Sequence, residues 1–326
     1  MTDTMKSLYS ALGRHGLRKT DVRAILPAWW DDEIADTAAG LQQAKLFVAK
    51  ALNLKIRPLV ETPPRVEFDL PAERRFKLAK GTTEEHVSLA VALARSASKI
   101  VLSSMDREFT RPGSAAEVRA HILASGRRWV DLEGLVNYCW QCGIPVVHLA
   151  SSLMKKKMDG IAMSTKGRPS IVLSSRRVYG FMLFHLAHEL GHVALGHLEP
   201  NGAIVDTTIE KDPEGKDDAE RAADGYALEL LSGHQGNLRL ARVQKPAALA
   251  HTVTEYGKQY QIAPSHVLLN CAYNGDFWGL CSNTLKVLCE RDGSTDKQVL
   301  DRHLYENLPA DIKEDNLGIL GTLVGS

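Results

Sequence analysis

The sequence predicts a predominantly helical α+β protein, with a small sheet in its middle third and a helical domain at its N-terminus. Three observations carry this. Apolar residues recur at three- and four-residue steps through most of the 326 residues, the period of helices buried on one face. Short apolar runs bounded by Gly, Pro and turn residues cluster between positions 144 and 174, as strands do. Two helical runs begin on a Ser/Thr-x-x-Glu pattern, in which side chain and backbone cap each other.

Residues 1–55 read as a small helical module. Lys6 to Arg14 forms a short helix stopped near Gly16, and Thr20 caps a second that Pro27 ends. Asp31 to Leu54 reads as one longer helix with Ile34, Leu41, Ala44, Phe47, Val48, Ala51 and Leu52 on its apolar face. Such helices can form a helix-turn-helix, and Lys6, Arg14, Arg18, Lys19 and Arg23 favour DNA as a partner. The acidic run Asp31, Asp32, Glu33 and Asp36 argues for a docking or packing domain instead. Trp29-Trp30 reads as a core anchor. Residues 56–81, with Pro58, Pro63, Pro64 and Pro71, read as a linker. Thr82-x-x-Glu85 opens a helix through Ile100 and Leu102, and Ser114-x-x-Glu117 opens another that stops at Gly126, so 82–126 form a helical brace.

From residue 127 the pattern changes. Leu132 to Gln141 is a helix, and Ile144 to Leu149 is a strand. Gly160 to Met163 and Ser170 to Ser174 are two more, with Thr165-Lys166-Gly167-Arg168 as their turn. Lys155, Lys156, Lys157, Lys166, Arg168, Arg176 and Arg177 face only Asp159 across 155–177. This is either solvated surface or a site for an acidic substrate segment or a nucleic-acid signal. Residues 198–216, with Pro200, Gly202, Pro213 and Gly215, read as a loop over a cleft. Ala247 to Tyr260 and Pro264 to Tyr273 form a helical pair, and 276–326 add two or three helices as a C-terminal extension.

The chemistry sits in Leu186-Ala187-His188-Glu189-Leu190-Gly191-His192. Tyr179, Met182, Leu183, Leu186, Leu190 and Val193 give this stretch a helical period, so His188 and His192 share one face. Two imidazoles so placed can bind one zinc ion, and Glu189 can take a proton from the water it activates. The bland alternative is a hydrogen-bonded helix face, but the flanks are apolar and the polar residues are concentrated at the motif.

A catalytic zinc takes three protein ligands. The metzincin scheme, with a Gly and a third His beyond the motif, fails because Leu195 and Leu198 hold those positions and Gly196 and His197 are out of register; His197 reads as a helix-end residue. The other scheme draws a Glu from a second helix. Asp217 to Leu231 is such a helix, and Glu220 and Asp224 share one face of it. Glu220 can ligate while Asp224 accepts the ring N–H of a ligating His. A surface charge at a helix N-terminus is the alternative for Glu220, and it suits Asp217 and Asp218 better.

These two stretches, Ala-His-Glu-Leu-Gly-His at 187–192 and Glu-x-x-Ala-Asp-x-Tyr-Ala-x-Glu-Leu-Leu at 220–231, resemble the ImmA/IrrE-type metallopeptidases. The resemblance spans roughly residues 126 to 275. It implies a gluzincin-like, zincin-fold domain over 127–275, with His188, His192 and Glu220 as ligands of one zinc ion and Glu189 as the base. It also implies site-specific cleavage of a helix-turn-helix repressor in response to stress, phage or DNA damage. A small sheet lies beside the motif helix in zincins, where an edge strand can hold an extended peptide by backbone pairing. Tyr226 and Tyr179 are candidates to stabilise the oxyanion. Cys271, inside the same region, is a candidate thiolate ligand holding the zinc latent. A rival reading is a regulator with this fold that works by binding nucleic acid or a protein partner with little proteolysis; the intact Glu189 weighs against it.

Composition bounds the rest. The chain is 44% apolar and 24% charged, as globular proteins are, and its net charge of +1 does not by itself demand nucleic acid. No apolar run reads as long enough to span a membrane, and Met1 to Lys19 lacks the apolar core of a signal peptide. Five cysteines, an odd number, point to a reducing cytoplasm, with Cys139-x-x-Cys142 as packing.

Overall fold

The structure is a computed structural model that describes residues 4–71, 74–77, 84–149, 158–174, 177–206, 217–240 and 245–325. The N-terminal module holds α1 (Met5–Gly13), α2 (Lys19–Ile25), α3 (Ala38–Ala51) and α4 (Ile56–Val60). The single helix expected over Asp31 to Leu54 is broken. Asp32–Asp36 is a short 3-10 turn, Thr37 is extended, and its hydroxyl accepts from Gly40 N–H to start α3 afresh. Gly40 permits the break, since a Cβ there would lie 1.8 Å from the Ile34 carbonyl oxygen. Leu8, Leu12, Val22, Ile25, Leu41 and Val48 are buried in the same apolar cluster as the central helices and sheet. Trp30 anchors that cluster, whereas Trp29 is 56% exposed and leans edge-on against Phe47.

The Pro-rich stretch expected as a linker is built into the fold. It contains α4, a bridge between Leu54 and Phe68, and strand β1 (Arg74–Lys77). Next come α5 (Glu84–Ser104), α6 (Ala115–Ala124) and α7 (Leu132–Gln141). The Thr82 cap lies outside the described residues, but the Ser114 box is made: Ser114 accepts from Glu117 N–H, and the Glu117 carboxylate accepts from Ser114 N–H at 2.7 Å. Among the described residues one stretch, Val87–Ser104 in α5, is long and apolar enough to cross a membrane by length and composition, which the sequence reading excluded. It is 72% buried inside the fold, against α3, the C-terminal helix and the sheet.

Among the described residues the sheet has five strands, in the order β1-β5-β3-β4-β2. Here β2 is Val146–His148, β3 Gly160–Thr165, β4 Arg168–Leu173 and β5 Ala203–Asp206. The β3–β4 hairpin turns on Lys166 and Gly167, both at positive φ, as a two-residue hairpin requires. Strand β5 falls in what the sequence suggests is a loop; it pairs antiparallel to β3 and parallel to β1. The strand beneath the motif helix is therefore not an edge: β3 is paired on both sides, and the edges are β1 and β2.

Helix α8 (Phe181–Ala194) lies on β3 and β4, and α9 (Asp218–Ser232) packs along it. A second apolar cluster joins α10 (Pro246–Tyr260), α11 (Pro264–Gly275) and α12 (Trp278–Asp292). Helices α13 (Asp296–Asn307) and α14 (Glu314–Val324) return to the first cluster, against β2 and α7 and against α5 and α2 respectively.

Candidate metal centre

Helix α8 carries the motif on its buried side. His188 and His192, one turn apart, aim their Nε2 atoms at a common point, 3.1 Å from each other. Helix α9 brings the third group. Its N-cap, Asp217, accepts from Glu220 N–H at 2.9 Å, so Glu220 lies in the first turn. The Glu220 carboxylate stands 3.5 Å from His188 Nε2 and 3.3 Å from His192 Nε2. Gly191 allows this approach: a Cβ there would meet the Ala223 backbone at 3.2 Å and Tyr226 Cβ at 3.3 Å. Burial pushes the Glu220 carboxyl up, but the hydrogen bonds and charge of His188 and His192 outweigh it and hold it below the usual carboxylate range.

These three side chains are the described residues whose ligating atoms gather closely enough for a metal ion. Donors around a tetrahedral ion with bonds of about 2.0–2.1 Å stand about 3.3–3.4 Å apart. The observed separations of 3.1, 3.3 and 3.5 Å fit that figure. Two imidazoles and a carboxylate are also the donor set that zinc takes.

The histidines are oriented from behind. Asp224 Oδ1 lies 2.9 Å from His188 Nδ1. A carboxylate there accepts the Nδ1 proton and leaves the Nε2 lone pair facing the ligand point. His192 is held by a residue that sequence reasoning set aside. His197 Nδ1 lies 2.9 Å from His192 Nδ1, and His197 N–H donates to the His192 carbonyl at 3.0 Å. Gly196, at φ +76°, turns the chain back at the end of α8 and so makes both contacts.

Glu189, also buried, sits against the first residue of β3. A Cβ on Gly160 would lie 2.3 Å from Glu189 Oε1, so only glycine leaves the carboxylate its place.

Compared with protein-family models, curated proteins and solved structures, the chain matches none.

Three expected site residues lie elsewhere. The Tyr226 hydroxyl donates to the Gly113 carbonyl at 2.9 Å, and burial raises its pKa. The Tyr179 hydroxyl binds the Asp292 carboxylate, and burial likewise pushes it up. Each hydroxyl thus already has a partner within the fold. The Cys271 thiol points to the Leu238 carbonyl at 3.4 Å within the second cluster, and burial raises it to about 11. It is not among the gathered ligands, so the latent-thiolate idea fails on geometry. Cys139 and Cys142 are buried free thiols, as packing predicts. Of the basic run, Arg168 is spent on the carbonyls of Leu102, Met105 and Arg107, and Lys155, Lys156, Lys157 and Arg176 lie outside the described residues.

Proposed function

We propose that the protein is a zinc-dependent endopeptidase that cleaves a protein substrate, a helix-turn-helix repressor being the candidate that the family likeness suggests. The observation that carries this is the convergence of His188, His192 and Glu220 on one point, with Glu189 on the next position of the same helix, all four buried. Zinc held there supplies Lewis acidity toward a peptide carbonyl and makes water a nucleophile near neutral pH. Glu189 accepts the proton of the attacking water and passes it to the departing amine. Asp224 and His197 hold the two imidazoles in the tautomer and orientation that present Nε2. A protein that only bound a partner would have no use for a carboxylate in Glu189's position.

The test uses the full chain and a Glu189→Gln variant. Bound metal is counted in both, and candidate repressors are followed by mass spectrometry. One zinc per chain in each protein, with cutting by the parent alone, is the expected result. Zinc in both without cleavage of any candidate moves the weight to a binding function. Absence of zinc from both overturns the site.

A further inference from the structure

A cavity of about 720 Å³ lies between the residues that lead into the motif helix and the outer face of α12. None of His188, Glu189, His192 and Glu220 lines it, so it is a separate place from the metal centre. Its volume is that of a site for a small molecule. Val178, Tyr179 and Phe181 form one wall, Trp278 and Leu285 the other, and the start of α13 completes it at Thr295 and Gln298. Val178 is 63% exposed, an apolar side chain left in water on this wall.

The charges are placed unevenly. Arg177 stands at the rim with its guanidinium carbon 4.0 Å from the centroid of the Phe181 ring. Its charge also reaches the Cys281 thiol, which sets it beside the first turns of α12. A guanidinium stacked on a ring keeps its charge and offers an edge that fits a carboxylate. Lys286, two turns beyond Trp278, is exposed in the same lining and makes no ion pair among the described residues. Two nearby acids are engaged by the fold: Asp292 accepts from the Tyr179 hydroxyl, and Asp296 accepts from Gly180 and Met182 N–H. The remaining carboxylate of the lining, Glu290, lies about 18 Å along α12 from Trp278. The Trp278 end of the cavity is therefore apolar and positively charged.

The wall is also the joint at which the motif helix begins. Gly180, the N-cap of α8, packs on the lining: a Cβ there would meet Leu285 Cδ2 at 3.1 Å. Asp296 N–H donates to the Val178 carbonyl at 3.0 Å. A molecule resting on Val178 and Leu285 thus touches both sides of that joint.

We propose that this cavity binds a small carboxylic acid with an apolar body, its carboxylate held by Arg177 and Lys286, and that the bound acid tightens the start of the motif helix. The proposal stands apart from the peptidase reading and concerns a signal that the chain receives.

The full chain is titrated calorimetrically with octanoate, 1-octanol and acetate, and amide exchange is followed with and without octanoate. Octanoate is expected to bind about tenfold tighter than octanol, the scale of one charge-assisted hydrogen bond at an open rim. Acetate, which lacks the buried methylenes, should bind at least about a hundredfold more weakly. Lys286→Gln should cost octanoate about tenfold and leave octanol unchanged. Ser282→Trp, at an exposed position of the lining, should abolish both. A carboxylate can also sit on an open metal ion, and this variant assigns the place because it leaves the metal centre untouched. Parent-like thermal unfolding of both variants guards against misfolding. Exchange at the Gly180 and Met182 amides should slow about tenfold with octanoate bound. Equal affinity for octanoate and octanol overturns the carboxylate site, as does octanoate binding that Ser282→Trp leaves intact. Binding without slower exchange at these two amides overturns the action on the motif helix.

Discussion

The Asp296 carboxylate accepts from Met182 N–H at 3.1 Å and from Gly180 N–H at 2.9 Å, so the first turn of α13 caps the helix that carries both histidines. No side chain within α8's own approach does so, because Gly180 stands at the N-cap. Asp296 N–H also donates to the Val178 carbonyl at 3.0 Å. The C-terminal extension therefore holds the motif helix in place.

This contact predicts a pH signature. Burial raises the Asp296 carboxyl from 3.8 to about 6 against its two N–H bonds, with nearby Asp292 adding to the rise. The folded state then binds more protons than the unfolded state between about pH 4 and 6. The stability linked to Asp296 is thus full below pH 4 and is lost as pH rises through 6, by on the order of 3 kcal/mol. Asp296→Asn removes that slope. Urea unfolding of metal-free parent and variant at several pH values should show the parent's relative stability falling with rising pH across this window, and parallel curves would refute it.

Gly160→Ala places a methyl group where the Glu189 carboxylate lies. The ligands are untouched, so zinc content should stay at that of the parent. Displacing a catalytic group by about 1 Å costs on the order of a hundredfold in rate. Cleavage should fall by about that factor, and an unaltered rate would mean that Glu189 works from another position.

What the sequence made legible is local. His188 with His192, and Glu220 with Asp224, are pairs at helical spacing, and the turn at Lys166-Gly167 marks its own hairpin. What it hid depends on tertiary placement. Strands β1 and β5 are four residues each, one inside a Pro-rich stretch and one beside Gly202, and they find each other across more than a hundred positions. Tyr226 and Tyr179 illustrate the same limit, since helical spacing does not say which neighbour a hydroxyl meets. His197 needed the left-handed turn at Gly196, a Gly-His pair that reads only as a helix end until the chain is traced.

The two groups behind the imidazoles predict graded metal affinities. Outer partners of ligating histidines are worth roughly 10–100-fold in affinity. Asp224→Ala and His197→Ala should each weaken zinc by that order in competition with a chelating dye. Asp224→Asn should lose less, because its amide oxygen can still accept the His188 Nδ1 proton. If His197→Ala binds zinc as tightly as the parent, the contact with His192 is packing alone.

Gly191 tests the dependence of the centre on the spacing of two helices. Glycine inside α8 carries a helix-propensity cost of about 1 kcal/mol relative to alanine. An unconstrained site would therefore gain stability on Gly191→Ala. Here the added Cβ meets Ala223 backbone atoms at 3.2 Å, closer than a comfortable contact, and α9 cannot withdraw without carrying Glu220 off the ligand point. The alanine variant is expected to be near the parent in stability, the two effects opposing, yet to bind zinc more weakly. Gly191→Val adds two further methyl groups to a packed interface, a change that costs about 1–3 kcal/mol. It should lose zinc at concentrations that saturate the parent. Thermal unfolding with and without added zinc separates the effects: the metal-induced rise in Tm should shrink from parent to Ala to Val. An equal rise in all three would show that Glu220 does not contribute to holding the ion.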